Sequence, residues 1–295
     1  MIGSGMVRDA EATDVGAALG AAAPLVDAHV HLFPDRLFEA IWGWFDAHAW
    51  PIRYRLTSER VVDFLASRGV SKVVALHYAH KPGIADGLNR YVLDLARRFP
   101  EVVPTATVFP GEPHARDLLR RALGEGARGV KIHCHVMKLA PDDPRLDELF
   151  EEATAAAVPV VMHAGREPSS AAYGVDTRAL CSVDAVDRVL RRHPALTLVV
   201  PHLGADEFDE YEALLDRHPG LYLDTTMSIA GYLPRGPDLG VLARRPERLL
   251  YGSDFPDVPY SWSRELTVLK AAGLGAAALE AITSGNARRL FVDRR

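Results

Sequence analysis

Leu25-Val-Asp-Ala-His-Val-His31 is a short, mostly apolar run that ends in two histidines spaced two apart, and its reading decides the rest of the chain. Such a run is expected of a strand buried on both faces, as in a parallel sheet. Seven more runs of this kind follow, at 70–77, 101–108, 128–133, 158–163, 196–202, 220–224 and 248–252. Longer amphipathic stretches separate them, at 58–68, 86–98, 114–124, 145–157, 183–192, 206–217 and 238–244, with 263–272 and 276–284 after the last. Arg98-Phe-Pro, Arg192-His-Pro, Arg217-His-Pro and Arg245-Pro each close a helix before a strand, since a cation suits a helix C-terminus and a proline stops it. His193 and His218 are therefore read as helix-end residues. Eight β-then-α units with no break in composition predict the α/β class and a single (β/α)8 TIM barrel over 25–295. An open doubly wound sheet is the alternative, but no G-x-G-x-x-G or P-loop follows any strand, which weakens its nucleotide-binding form.

The chain has 295 residues, 34 basic and 39 acidic, for a net charge of −5, with 48% hydrophobic residues. That balance fits a soluble protein with a large core and argues against a disordered or nucleic-acid-binding chain. No apolar run approaches the roughly 20 residues that span a bilayer, so no membrane partner is expected. Residues 1–24, acidic and rich in small residues, lack a signal-peptide pattern and read as a flexible tail on a cytoplasmic protein. The two cysteines, Cys134 and Cys181, lie in different parts of the chain and supply neither a disulfide scaffold nor a cysteine zinc site. A metal would have to be held by histidines and carboxylates.

Eight of the twelve histidines, His29, His31, His77, His80, His133, His135, His163 and His202, fall at or just past the expected C-terminal ends of strands. In a barrel those ends build the active-site mouth. Residues two apart on a strand face the same way, so His29 and His31 can present nitrogens to one ion. His163 in Val160-Val-Met-His-Ala-Gly165, His202 in Val199-Val-Pro-His-Leu-Gly204 and Asp254 in Tyr251-Gly-Ser-Asp-Phe-Pro256 stand at three further strand ends. Nitrogen and carboxylate donors converging in this way suit zinc, manganese or iron better than calcium.

These motifs, with the closing Ser284-Gly-Asn-Ala-Arg-Arg-Leu-Phe291, resemble the amidohydrolase superfamily, specifically the amidohydrolase-related branch that also contains metal-dependent decarboxylases. The resemblance runs from Leu25 to Phe291. It implies one divalent ion, zinc foremost, held by His29, His31, His163 and Asp254, with His202 off the metal and handling protons or polarising the substrate. Binuclear members carry a carboxylated lysine at the end of strand four, where Lys131 stands; the mononuclear branch leaves Lys131 to a carboxylate partner or to an anionic substrate group. His133 and His135 share that strand end and either join Lys131 in a cationic rim for the substrate or are ordinary polar residues.

Residues 32–56 form a long loop with three of the four tryptophans, Trp42, Trp44 and Trp50. Long βα loops carry specificity, so Trp44 is expected on a substrate wall; the other reading is a short helix that packs these aromatics on the barrel or on a second subunit, which would suit a homodimer. Arg53, Arg55 and Arg166 are candidates to pair with a substrate carboxylate. The expected chemistry is hydrolysis of an amide, lactone or ester-like bond in a small molecule by a metal-activated water, with Asp254 taking its proton. The alternative is non-oxidative decarboxylation of an unsaturated or aromatic carboxylate.

Overall fold

A computed structural model describes residues 10–20 and 24–293. Among these, the strands are β1 (Leu25–His31), β2 (Val70–Leu76), β3 (Val102–Pro104), β4 (Val130–His133), β5 (Val160–His163), β6 (Leu198–Val200), β7 (Leu221–Asp224) and β8 (Leu249–Leu250). The helices are α1 (Val15–Leu19), α2 (Asp35–His48), α3 (Ser58–Ala66), α4 (Ala85–Arg98), α5 (Ala115–Gly124), α6 (Cys134–Met137), α7 (Asp147–Ala155), α8 (Thr177–Leu180), α9 (Val183–Arg192), α10 (Phe208–Arg217), α11 (Val241–Arg244), α12 (Arg264–Ala271) and α13 (Ala276–Glu280). None is long and apolar enough to cross a membrane.

All strand pairs are parallel and follow chain order, β1 to β3 and β4 to β8. The two seams are bridged as well: Ala106 pairs with Val130 and Val30 with Phe255, both parallel. Around the second seam Ala28 N–H donates to Tyr251 O at 2.9 Å and Asp254 N–H to His29 O at 2.9 Å. Eight parallel strands in sequence order, each followed by helix, give the expected TIM barrel.

The apolar runs overshoot the strands at their C-terminal ends because the chain leaves the ladder there to build the mouth. Past β6 the chain turns at Pro201, which has no N–H to donate, and past β8 the backbone of 251–255 bonds to β1 instead of β7. Inside the barrel, Val26, Val74, Val161 and Leu250 pack with Leu290 and Phe291 of the closing segment. Gly129 makes room for this plug: a Cβ there would stand 3.0 Å from the Phe291 ring and 3.2 Å from Pro159 O. Asn286 donates to both Pro246 O and Leu249 O, which pins the segment under β8.

The expected flexible tail is corrected where it is described. Asp14 caps α1 by accepting from Ala17 N–H at 2.8 Å, and Val15, Ala18 and Leu19 are buried. Trp262 Nε1 donates to Ala12 O and Ala12 N–H to Ser263 Oγ. The acidic residue is thus a helix cap, and the small apolar residues cover the barrel; residues 1–9 and 21–23 of the expected tail lie outside the described residues. The loop at 32–56 contains the 14-residue α2.

Candidate active site

Both histidines at the end of β1 are oriented by a hydrogen bond at Nδ1. His29 Nδ1 pairs with Asp224 Oδ2 at 2.8 Å, from the end of β7, and His31 Nδ1 donates to Leu76 O at 2.8 Å, from the end of β2. A carbonyl only accepts, so neutral His31 leaves a bare lone pair on Nε2, and His29, donating to its carboxylate, does the same. Both lone pairs point at Asp254 Oδ1, at 3.3 Å from His29 and 3.0 Å from His31. Asp27, within β1, accepts from Ser253 N–H and Oγ and so ties the loop after β8 to this strand. Gly252 allows the close approach, since a Cβ there would lie 2.7 Å from His29 Cβ and 2.4 Å from Thr226 Oγ1. Asp254 sits in the left-handed region at φ 61°, a strained conformation of the kind that clusters at functional sites.

Three acceptor atoms facing one another at these distances need a cation among them. The donor atoms of His29, His31 and Asp254 all lie within 4.8 Å of one another, two imidazoles and a carboxylate, each histidine held by the outer hydrogen bond typical of metal ligands. A divalent ion fits this donor set. Without one, the charge falls on His31: burial opposes its protonation, but the adjacent Asp254 carboxylate holds it above the usual imidazole range.

His163 stands beside this cluster rather than in it. Its Nδ1 is 3.1 Å from His202 Nε2, and His202 Nδ1 donates to Thr226 O at 3.0 Å. In neutral rings the second bond makes His202 Nε2 an acceptor, so His163 Nδ1 donates to it, and His163 Nε2 is left as a buried lone pair without a partner. Burial holds His163 well below the usual range and His202 below it, which keeps both neutral. The Lys131 ammonium, fully buried, reaches His29 Nε2 at 3.3 Å, and burial pulls it down to about 8. His133 stacks on His163 with ring centroids 4.2 Å apart, and its Nδ1 also lacks a partner.

His29, His31, Lys131, His133, His163, His202 and Asp254 open onto one cavity of about 330 Å³. Its outer wall is α2, which turns Ile41, Trp44 and Phe45 inward, and Tyr173 from the loop after β5 meets Trp44 at 4.9 Å between ring centroids. Ser170 Oγ donates to His48 O and joins that loop to the end of α2. The structure therefore places Trp44 on the wall and turns its helix's aromatics inward. Among the described residues the exposed large hydrophobics are Tyr232 and Leu239, neither of them in 32–56.

Seven of the eight strand-end histidines line this cavity; His77 does not, because it is fully buried with Nε2 on Asn89 Oδ1 at 2.9 Å. The arginine candidates are corrected. Arg166 pairs with Glu207 at 2.9 Å and donates to Cys181 O, and it does not line the cavity. Arg53 pairs with Glu11 and Arg55 with Asp46. Each guanidinium has found a carboxylate of the chain itself, which sequence spacing does not reveal. His193 and His218 stand at helix ends as expected, paired with Asp147 and Asp187. The fold also brings Cys134 and Cys181, distant in sequence, into side-chain contact, both free and buried. The sequence reading missed Asp224, which ends β7 as the histidines end their strands and was legible by that signal, and Tyr78, Tyr173 and Asp257 on the cavity wall, which carry none.

The model of one protein family, described as amidohydrolase, matches residues 26–292. No curated protein matches the chain. Among solved structures, it is similar to an uncharacterized TIM-barrel protein from Bordetella bronchiseptica, at 22% identity over 91% of this chain and 98% of that one, with a TM-score of 0.66. It is similar to 5-carboxyvanillate decarboxylase from Sphingomonas paucimobilis, at 17% identity over 91% and 98%, TM-score 0.63. A third similar structure is a probable 2-pyrone-4,6-dicarboxylic acid hydrolase from Acinetobacter baumannii, at 15% identity over 91% and 99%, TM-score 0.59. These identities speak to the fold; with a barrel whose strand ends gather histidines and an aspartate, and a family match over nearly its whole length, the chain belongs to the amidohydrolase family.

Proposed function

We propose that the chain is a metal-dependent hydrolase that cleaves an amide, lactone or ester-like bond in a small molecule with an apolar body. The observation that carries this reading is Asp254, which is both a member of the three-residue donor cluster and part of the cavity wall. His29, His31 and Asp254 would hold the ion, with His163 Nε2 the free lone pair nearest in kind. A divalent ion there, zinc by donor type, supplies Lewis-acid polarisation of a carbonyl and a water of lowered pKa.

The remaining work belongs to the chain. Burial works against charge on Asp254, but the neighbouring histidines hold its carboxyl well below the usual range, so it is ionised and can receive a proton. His202 has both nitrogens engaged, so a proton leaves or joins it only as the His163 bond opens. Asp224 keeps His29 in the tautomer that points Nε2 at the cluster. The α2 wall and Tyr173 hold the apolar body and exclude water, and Lys131 and His133 meet a developing negative charge on the substrate. The two buried free thiols suit a reducing, cytoplasmic compartment.

A decarboxylase reading is favoured by one specific observation, the buried Lys131 beside an aromatic wall, which suits an aromatic carboxylate. The two readings separate in labelled water. Panels of lactones, amides and aryl carboxylates incubated in H2(18)O should give a product carrying (18)O and no carbon dioxide. Carbon dioxide release with no (18)O in the organic product would replace hydrolysis by decarboxylation.

A further inference from the structure

The cavity has a carboxyl group for which neither the metal cluster nor the fold has a use. Asp257 lines the cavity and is 2% exposed, yet its Oδ1 has no hydrogen-bond partner. Its main chain is pinned on both sides: its N–H donates to Asp254 O at 2.9 Å and its carbonyl accepts from Trp50 Nε1 at 2.8 Å. The side chain is thus presented by a fixed backbone. Asp257 is not in the three-residue donor cluster, so it does not serve the ion.

A buried acceptor without a donor is costly to a fold, and such groups in cavities are satisfied by what enters. A carboxylate oxygen only accepts, so the unpartnered Oδ1 calls for a donor from whatever fills the cavity. The cationic side chains on the cavity wall, Lys131 and Lys138, make no hydrogen bond to Oδ1, and no arginine lines the cavity among the described residues. This point of the cavity wall therefore offers an acceptor and no donor: it takes a neutral hydrogen-bond donor of the ligand and gives a second carboxylate nothing to pair with.

We propose that Asp257 is a specificity-determining residue: it accepts a hydrogen bond from a hydroxyl or amino group of the substrate, so that the site selects a molecule with a neutral donor at that end and rejects one with a carboxylate there. This deepens the function proposed above and rests on the cavity being the substrate site. Both reactions considered pass through a carboxylate, as product or as substrate, so simple aromatic acids are fair probes.

The test uses zinc-loaded full-length protein, wild type, Asp257→Asn and Asp257→Ser, with zinc content and melting temperature measured for each. Binding of benzoate, 3- and 4-hydroxybenzoate, isophthalate and terephthalate is followed by quenching of tryptophan fluorescence, since Trp44 and Trp50 line the cavity. In the wild type a hydroxybenzoate should bind on the order of tenfold more tightly than the dicarboxylate substituted at the same position. Asp257→Asn should shrink that ratio by admitting the dicarboxylate, and Asp257→Ser should erase the preference for hydroxybenzoate over benzoate, with zinc content unchanged. Ratios in the folded, zinc-loaded variants equal to those of the wild type would overturn the role of Asp257 alone. Failure of every probe to quench the wild type would overturn the reading of the cavity as a carboxylate site, and this proposal with it.

Discussion

Asp224 shows how a residue that never meets the substrate can govern the site. Its Oδ2 holds His29 Nδ1 at 2.8 Å while its Oδ1 accepts from His202 N–H at 2.9 Å, so one buried carboxylate aligns two strand ends. Removing such an outer partner typically costs about 10–100-fold in metal affinity. Asp224→Ala should therefore weaken zinc binding by that range in a chelator competition, and Asp224→Asn, which can still hydrogen-bond, should lose less. Equal affinity in wild type and Asp224→Ala would mean that His29 is oriented by something else. The opposite case is Arg166, read from sequence as a substrate-binding cation and found on Glu207 and Cys181 O. Arg166→Ala should lower the melting temperature by a few degrees, as loss of hydrogen bonds to a half-buried charge of about 1.5–3 kcal/mol would. Its KM should stay within about twofold of wild type, because the side chain is outside the cavity; a large rise in KM with an unchanged melting temperature would restore the substrate role.

At the scale of elements, α2, which lines the cavity, is where sequence reading was least decisive. Its aromatics could have faced solvent, a second subunit or the barrel, and the side taken depends on partners from elsewhere: Tyr173 against Trp44, and Trp50, just past the helix, held by Asp257 O. Strand ends, by contrast, were legible, because two-residue spacing in β1 places His29 and His31 on one side whatever surrounds them. His163, expected as a metal ligand, and His202, expected to handle protons beside it, were legible as site residues but not as each other's partner, since that bond crosses from β5 to the segment after β6. Asp257 gave no sequence signal at all, lying in a turn with no periodicity to read. Trp44→Ala should raise KM for an apolar substrate several-fold while changing kcat little, as expected for a wall that binds ground and transition states alike. A fall in kcat with KM unchanged would place Trp44 in the chemistry instead.

The molecule as a whole is a barrel with a reactive mouth and a packed base. Phe291, fully buried among β-strand side chains, closes the end away from the histidines, and Phe→Ala in such a core costs about 3–5 kcal/mol. Phe291→Ala should be strongly destabilised in urea unfolding yet bind zinc normally at low temperature, since the plug touches none of the ligands. Loss of zinc from folded Phe291→Ala would show that base and mouth are coupled. The barrel itself was legible from alternation, as each helix stop of the Arg-x-Pro kind precedes a strand, whereas its closure was not, because both seams are made by residues past strand ends, Ala106 bridging to Val130 and Phe255 to Val30. Everything proposed for the mouth depends on His29, His31 and Asp254 holding one cation. The most direct test is zinc content by elemental analysis of wild-type and His29→Ala/His31→Ala protein after reconstitution and exhaustive dialysis, with folding checked by circular dichroism. The account predicts about one zinc per wild-type chain and almost none in the folded double variant. A folded wild-type protein that retains no zinc, manganese or iron, or a double variant that retains as much as wild type, would contradict it.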